Sequence, residues 1–591
     1  MTHEVSRCEY RASGTAFTHR KHLLRLTSSL ARRIVLFVAP RISTALALSL
    51  VAIAASAQDP PQAPPIHVST RLVQIGIVVR DKNGPVPDLR KENFTLLDRG
   101  KPQTISIFST DAALAAQQPP ERPLPPNTFS DLPHYGAVVP RSVTIVLLDN
   151  LNTLYSSVAQ SKYEHSPYWL EDLALQNAKN HLADFIKQLS PQDRVAIYGL
   201  RHSLYVLRDF TSDRDELLTI LKNYDAKPLT NREVVQPGNT MIITGGHDNP
   251  VADIFRQGGE FENGASTRLA NAANDTRSIE TMAALEAIAA HVANIPGRKN
   301  LVWLTANLPF SGAAMAHVLS PANIAVYPVD ARGLLGRSPM VLADIPGTAD
   351  ADDVSGASGH WDNMPAQSSQ PIGITTMEEL ADETGGQAFV NTNDITGAIR
   401  KAVEDSAVNY TLGFYIDRDA LDAKFHAIKI EVRGKGLTVR YPKGYFALPD
   451  IVATKNENST RLATEVESPL ESSAIPLQAT IDRVDQPPHS LKVQCSIDAH
   501  HVHLASDGAV RTGAVDVYII EQDQTGKVLF KSGKTFNLQV PEKQYDALLK
   551  SGLLFHEYVQ LKPDATTLRI LVEDPSTAAL GSLIIPLSQI K

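Results

Sequence analysis

Cysteine is nearly absent from this 591-residue chain, which carries only Cys8 and Cys495. Two cysteines exclude a disulfide scaffold and any zinc site built on thiolates. Four catalytic signatures are also missing: G-x-S-x-G, H-E-x-x-H, G-x-x-x-x-G-K-[ST] and G-x-G-x-x-G. No nucleophile elbow, zincin helix, phosphate loop or dinucleotide turn is therefore available as a basis for an enzyme, although chemistry on other residues stays open. Positive charge is not in excess. The formal net charge is −8 and the pI about 6.1, so nucleic acid is not the partner this composition points to. Beyond residue 57 no apolar run reaches the ~20 residues needed to span a bilayer.

What is present is ordinary globular composition, 43% hydrophobic and 20% charged, which argues against a disordered or fibrous chain. At about 100–200 residues per domain, the length predicts three to five domains. Residues 1–57 stand apart. They hold eight Lys/Arg against Glu4 and Glu9, then an apolar run from Ile42 ending at Ala55-Ser56-Ala57. A basic region, a short apolar stretch and an A-x-A site read as a cleaved signal peptide, with Gln58 as the mature N-terminus. A single membrane anchor is the alternative, and Arg32-Arg33 raises the twin-arginine route. Without this segment, 56 basic residues become 48 and 64 acidic ones become 62, a net charge of −14.

Residues 58–65 are a Pro-rich linker. Residues 66–112 alternate in the β manner around the turns Asp81-Lys-Asn-Gly84 and Asp98-Arg-Gly100, and read as a small β domain. Residues 113–140 read as a second linker. From 141 to 449, apolar strands such as Ser142–Leu148, Arg194–Leu200, Asn300–Leu304 and Ile324–Val329 alternate with helical periodicity. This predicts a central doubly wound, mostly parallel sheet with long inserts. Ala388–Val390 is predicted as one more strand, and Tyr410–Ile416, Ala427–Val432 and Leu437–Arg440 are expected to extend or flank that sheet. Residues 450–474 read as a third linker. Seven short alternating segments across 475–591 predict a C-terminal β-sandwich. The fold class is multidomain, α/β plus β.

Several stretches in order resemble the von Willebrand factor A-related family abundant in Acidobacteria. They are Val79-Arg-Asp-Lys-Asn-Gly84, Asp98-Arg-Gly100-Lys101-Pro102-Gln103, Ile145-Val-Leu-Leu-Asp149-Asn-Leu-Asn152-Thr153, Ile295-Pro-Gly-Arg-Lys299-Asn-Leu-Val-Trp303-Leu304, Tyr327-Pro-Val-Asp330-Ala-Arg-Gly333, Glu383-Thr-Gly-Gly386 and Lys443-Gly444-Tyr445-Phe446. The resemblance covers about residues 66–447. It implies a secreted protein with an A-type (VWA-like) domain that binds a protein or peptide, often through a divalent cation. In that family the metal is held by Asp-x-Ser-x-Ser after the first strand, a loop threonine and an aspartate after the fourth strand. Carried over, Asp149 fits the aspartate, Thr153 the second hydroxyl, and Thr276 or Thr281 the loop threonine. Leu151 occupies the first hydroxyl position and Ala306 that of the second aspartate. Neither donates oxygen, so the resemblance implies a degenerate site at which Mg²⁺ or another divalent ion binds weakly; the alternative is that Asp149 and Thr153 only cap backbone groups.

Elsewhere, His501 and His503 are predicted to share a strand face in a weak metal tract, and Asp350-Ala-Asp352-Asp353 reads as a solvated loop. Tyr163, Tyr168 and Trp169 offer aromatics for a protein contact near the same rim. The favoured function is an exported adhesion or scaffold protein, periplasmic, envelope-associated or extracellular, that is not an enzyme. It binds a protein or peptide, no nucleic acid, and has no membrane span after cleavage. The alternative is a hydrolase or other enzyme on the α/β domain.

Overall fold

The computed structural model describes residues 70–110, 124–131, 142–153, 169–224, 276–308, 311–333, 373–417, 420–422, 424–447, 455–486 and 488–591. The chain is a mixed α/β protein with several sheets and more strand than helix. The signal segment, Tyr163, Tyr168 and the Asp350–Asp353 loop lie outside the described residues.

One five-stranded sheet runs in the order Ile324–Asp330, Lys299–Thr305, Ser142–Asp149, Asp193–Leu200, Leu204–Thr211. The first four strands are mutually parallel and the last is an antiparallel edge. Their side chains are apolar on both faces because both faces are covered. One face meets the helix over 276–291 and helices Gly312–Leu319 and Ile374–Thr384, through Leu285, Ile288, Met315, Leu319, Met377 and Leu380. The other meets Trp169–Ile186, Arg214–Asn223 and Ile395–Ala407, through Leu182, Ile186, Leu217, Leu221, Ile399 and Val403. Asp213 accepts from the Asp215 and Glu216 N–H groups and so starts the second of these helices, as its position in the sequence predicts. The strand expected at Ala388–Val390 shrinks to a single bridge between Val329 and Phe389. Only Phe389 meets the sheet, its N–H donating to the Pro328 carbonyl at 2.8 Å and its carbonyl accepting the Asp330 N–H at 2.9 Å.

The strands after residue 409 do not join this sheet, which corrects the expectation for that segment. Tyr410–Asp417 pairs with Thr70–Asp81, and Phe425–Val432 pairs with Phe94–Asp98. The small β domain expected at 66–112 is therefore completed by residues more than 300 positions later. Its two sheets share the cluster Ile75, Ile77, Phe94, Leu96, Tyr410, Leu412, Phe414, Ile428 and Ile430. Buried charge joins it to the parallel sheet. Asp405, fully buried, takes Arg80, Arg440 and the Tyr327 hydroxyl. Arg298 donates to the Gly76 carbonyl at 3.3 Å and the Gly385 carbonyl at 2.6 Å.

At the C-terminal end two antiparallel sheets enclose one apolar cluster that includes Leu477, Ile481, Val493, Val517, Ile519, Ile570 and Leu583. Both flanking stretches read as linkers take part. Thr128–Ser130 pairs with Leu477–Val484 as an edge strand. Lys455–Glu467 is a helix whose Val466 packs on Ile520 and Leu571. Arg569, buried, donates to the carbonyls of Val466, Ser468 and Leu470 at 2.7, 2.8 and 3.1 Å, which locks the chain behind that helix onto the sheet. Ser473 then caps the helix over 276–291 by donating to the Ala290 and His291 carbonyls. A domain boundary at 475 thus cuts through a packed joint. A fragment of residues 475–591 is expected to melt at least ~5 °C below one of residues 455–591, because it loses about 3 kcal/mol of burial and carbonyl bonding. Circular dichroism melting checks this, and equal midpoints would show that the helix contributes nothing.

Candidate functional site

The C-terminal ends of parallel strands form the rim where open α/β sheets bind ligands. Asp149, Thr305 and Asp330 end three adjacent strands here. Asp149 is fully buried. Its Oδ1 accepts the Asn152 backbone N–H at 2.8 Å; its Oδ2 accepts Asn152 Nδ2 at 3.0 Å and Trp303 Nε1 at 2.9 Å. The Thr153 hydroxyl donates to the Asp149 carbonyl. Asn152 Nδ2 also reaches Thr281 Oγ1 at 2.8 Å, so Thr281 is the threonine tied to the aspartate turn. Thr276 lies half-buried at the first described residue of that helix. Burial pushes the Asp149 carboxyl above its ordinary value, against the pull of the Asn152 and Trp303 donors.

The neighbouring positions are equally committed. Asn150 and Leu151 donate their N–H groups to the Leu200 carbonyl at 2.9 and 3.1 Å, and Tyr224 donates its hydroxyl to Asn150 Oδ1. Leu151 is fully buried in the apolar cluster with Tyr198, Leu285 and Trp303. Ala306 is buried and carries no donor oxygen on its side chain. Asp330 is held by Arg332, whose Nε and Nη2 each donate at 2.8 Å. Thr305 Oγ1 donates to the Asn307 carbonyl at 2.7 Å.

This donor set does not fit a tightly held divalent ion. Both oxygens of Asp149 are taken by N–H donors, and the residues at the Leu151 and Ala306 positions supply nothing. Asp149, Thr153 and Thr281 are brought together; Asn152 bonds both Asp149 and Thr281, Trp303 bonds the Asp149 carboxylate, and Thr153 bonds the Asp149 backbone carbonyl. Sequence reasoning missed Trp303 and Arg332. Nothing local marks Trp303, which approaches Asp149 from the neighbouring strand. The spacing Asp330-Ala-Arg332 was a readable hint of the bidentate pair. Three arginines edge this rim: Arg201 follows strand Asp193–Leu200, Arg277 begins the helix over 276–291, and Arg332 follows Ile324–Asp330. Burial pulls the Arg277 guanidinium down, and the Asp149 charge opposes that.

The histidine tract differs from expectation. Ala499–His501 is a short 3-10 helix, so His501 and His503 do not share a strand face. Asp498 holds the Nδ1 atoms of His500 and His501 at 2.8 and 3.2 Å. Among the described residues no group of three or more His, Cys, Asp or Glu is arranged to hold a metal, and no helix is long and apolar enough to cross a membrane. Cys495 is a buried free thiol.

No family model and no curated protein matches the sequence. Among solved structures, the chain is similar to an aerotolerance-related membrane protein from Bacteroides fragilis, at 14% identity over 44% of this chain and 98% of that one, TM-score 0.23. It is similar to the conserved hypothetical protein BatB from Bacteroides thetaiotaomicron, at 12% over 45% and 98%, TM-score 0.22. It is also similar to proximal thread matrix protein 1 from the mussel byssus, described with a zinc-occupied MIDAS motif, at 11% over 45% and 48%, TM-score 0.22. Overlap at this level defines neither fold nor activity for this chain, whose class, mixed α/β with several sheets, rests on its own strand pairing.

Proposed function

We propose that this chain is an exported binding or scaffold protein of the von Willebrand factor A-related type. In this reading the parallel sheet is its VWA-like, doubly wound domain and the C-terminal pair of sheets is a β-sandwich. The contact surface is the strand-end rim, and the partner is a protein or peptide rather than nucleic acid or a bilayer. The protein is not an enzyme, and it works without a tightly bound cation. The supporting observation is the Asp149 carboxylate. It is wholly enclosed by the Asn152 and Trp303 donors, so it stiffens the rim rather than offering charge to an ion. The rim's cationic side chains are the half-buried Arg201, Arg277 and Arg332, the last already paired with Asp330, and guanidinium groups suit carboxylates on a partner without a bridging metal. Export rests on the sequence of residues 1–57.

A metal that bound the native state would raise its melting temperature with concentration. No shift is expected with Mg²⁺, Ca²⁺ or Mn²⁺ below about 1 mM, a range in which a micromolar site would be stabilised by several kcal/mol. Partner capture from the native envelope fraction is expected to survive EDTA and to be lost with Arg277→Glu. A saturating metal-dependent shift, or capture abolished by EDTA, would overturn the cation-free reading. Capture unchanged by Arg277→Glu would overturn the rim as the contact surface.

A further inference from the structure

The two C-terminal sheets are joined along one side; along the other, helix Glu542–Ser551 links the two edge strands and packs Tyr545 and Leu548 on the core, and a cleft opens at the far end of these strands. On the joined side the Ile475 N–H donates to the Leu580 carbonyl at 3.1 Å and Ser473 bridges Gly581. On the other side each sheet ends in an unpaired edge. Strand Val528–Pro541 pairs only with Val510–Gln522 among the described strands, and Leu553–Gln560 only with Ser490–Ile497. Every second residue of each edge therefore turns its N–H and C=O to that side, which is a template for another strand.

The register shows what lies inside. Phe536, Lys534 and Ser532 stand opposite Val515, Val517 and Ile519, which are core residues, so they face the interlayer space. Glu557 and Phe555 stand opposite core residues Val493 and Cys495 and face the same space. An ion pair between Lys534 and Glu557 and a ring contact between Phe536 and Phe555, centroids 5.3 Å apart, join the two edges. The edges also frame a cleft of about 1050 Å³ lined by Ile519, Phe530, Ser532, Val559, Leu561 and Leu587. Among the described residues, eight large hydrophobics are exposed; Val528, Phe530, Phe536, Leu554 and Tyr558, five of them, lie on these two strands. The same surface is basic. Lys562 lies over the Phe530 ring at 5.4 Å; His489 and Arg483 border the cleft, Arg483 donating to the Leu587 carbonyl at 3.1 Å, and the one acid of the lining, Glu557, is already paired with Lys534.

We infer that this cleft binds an extended peptide strand with apolar residues at alternate positions and carboxylates flanking them. The free edge groups call for backbone hydrogen bonds, the apolar lining takes every second side chain, and Lys562 takes the flanking charge. A second copy of this chain adding its own edge strand is the competing occupant, and the test separates the two. The site lies on a different pair of sheets from the strand-end rim and stands or falls apart from it.

The test uses the full chain and a fluorescein-labelled peptide, Asp-Asp-Val-Thr-Val-Thr-Val-Asp-Asp, read by fluorescence anisotropy. Saturable binding is expected, weakened about tenfold or more by Phe530→Glu and by replacing the central Val of the peptide with Pro, which removes a ladder donor. Lys562→Glu, at an exposed side chain, is expected to weaken it about threefold, and salt to weaken it further. Unchanged melting temperatures show that the variants fold. No saturable binding up to about 1 mM, corresponding to roughly −4 kcal/mol, would overturn the inference. So would equal binding of the Pro peptide, or a concentration-dependent dimer by light scattering that Phe530→Glu abolishes.

Discussion

Asp149→Ala is expected to lower the free energy of unfolding by about 3–4 kcal/mol, with or without divalent cations present. The substitution removes the acceptor for three buried donors at once: the Asn152 backbone N–H, Asn152 Nδ2 and Trp303 Nε1. Trp303 is fully buried, so no water replaces the lost partner without opening the sheet. Asp149→Asn keeps the volume and one acceptor oxygen but turns an amide N–H toward donors, and is expected to cost about half as much. Urea unfolding monitored by Trp fluorescence reads both values. A loss below about 1 kcal/mol for Asp149→Ala would mean that the aspartate is not the anchor of the strand end. A loss seen only when metal is present would restore a cation site.

Asp131→Asn is expected to gain stability relative to the parent by roughly 2 kcal/mol between pH 5 and pH 9, because a titrating carboxyl is removed from a buried joint. Burial pushes Asp131 up to about 8, with the Leu477 N–H pulling down and the Glu471 charge pushing up. Its Oδ1 accepts the Leu477 N–H at 2.9 Å, while its buried Oδ2 has no hydrogen-bond partner and is the place for a proton. Burial likewise pushes Glu471 up to about 7, although it accepts the Ile584 N–H at 2.7 Å. His291 is pulled down by burial, but the Asp209 carboxylate at 3.2 Å outweighs this and leaves it raised. A carboxyl raised on folding makes the native state bind the extra proton above the unfolded value of about 4. Stability therefore falls as pH climbs from about 4 to 8 for Asp131, and His291 contributes with the same sign as pH passes its raised folded value. Paired urea titrations across this range isolate the Asp131 part. Equal differences between parent and variant at pH 5 and pH 9 would sink the assignment.

These groups meet because three distant segments converge. His291 ends the helix over 276–291, Glu471 follows the helix Lys455–Glu467, and Asp131 follows the strand Thr128–Ser130. Both of the latter segments read as linkers because they are short, polar or Pro-rich, and carry too little periodicity to show on which surface they lie. Buried Val466 makes sense only against Ile520 and Leu571 of the C-terminal sheet, and buried Leu470 only against the core of the parallel sheet. The Asp149 turn was legible in part. Asp149 and Thr153 stand out at the end of an apolar strand, and Leu151 and Ala306 already announce missing ligands. Trp303 was not legible as a partner, since its bond to Asp149 spans 154 positions.

The sequence by itself determined the local elements of the parallel sheet. Continuous apolar runs such as Ser142–Asp149 and Ile324–Asp330 suit only strands covered on both faces, and helical spacing around Leu182 and Ile399 marks what covers them. It also determined the turns at Asn83-Gly84 and at Arg99-Gly100, where Gly84, Arg99 and Gly100 adopt positive φ. Only the tertiary structure decided which strands pair. Tyr410–Asp417 has the same apolar pattern whether it extends the parallel sheet or seals the N-terminal β domain, and the choice is made by its antiparallel ladder to Thr70–Asp81. Local periodicity reports burial and side-chain direction; a hydrogen-bonded partner more than 300 residues away is selected by the packing of the whole core, which no window of sequence contains.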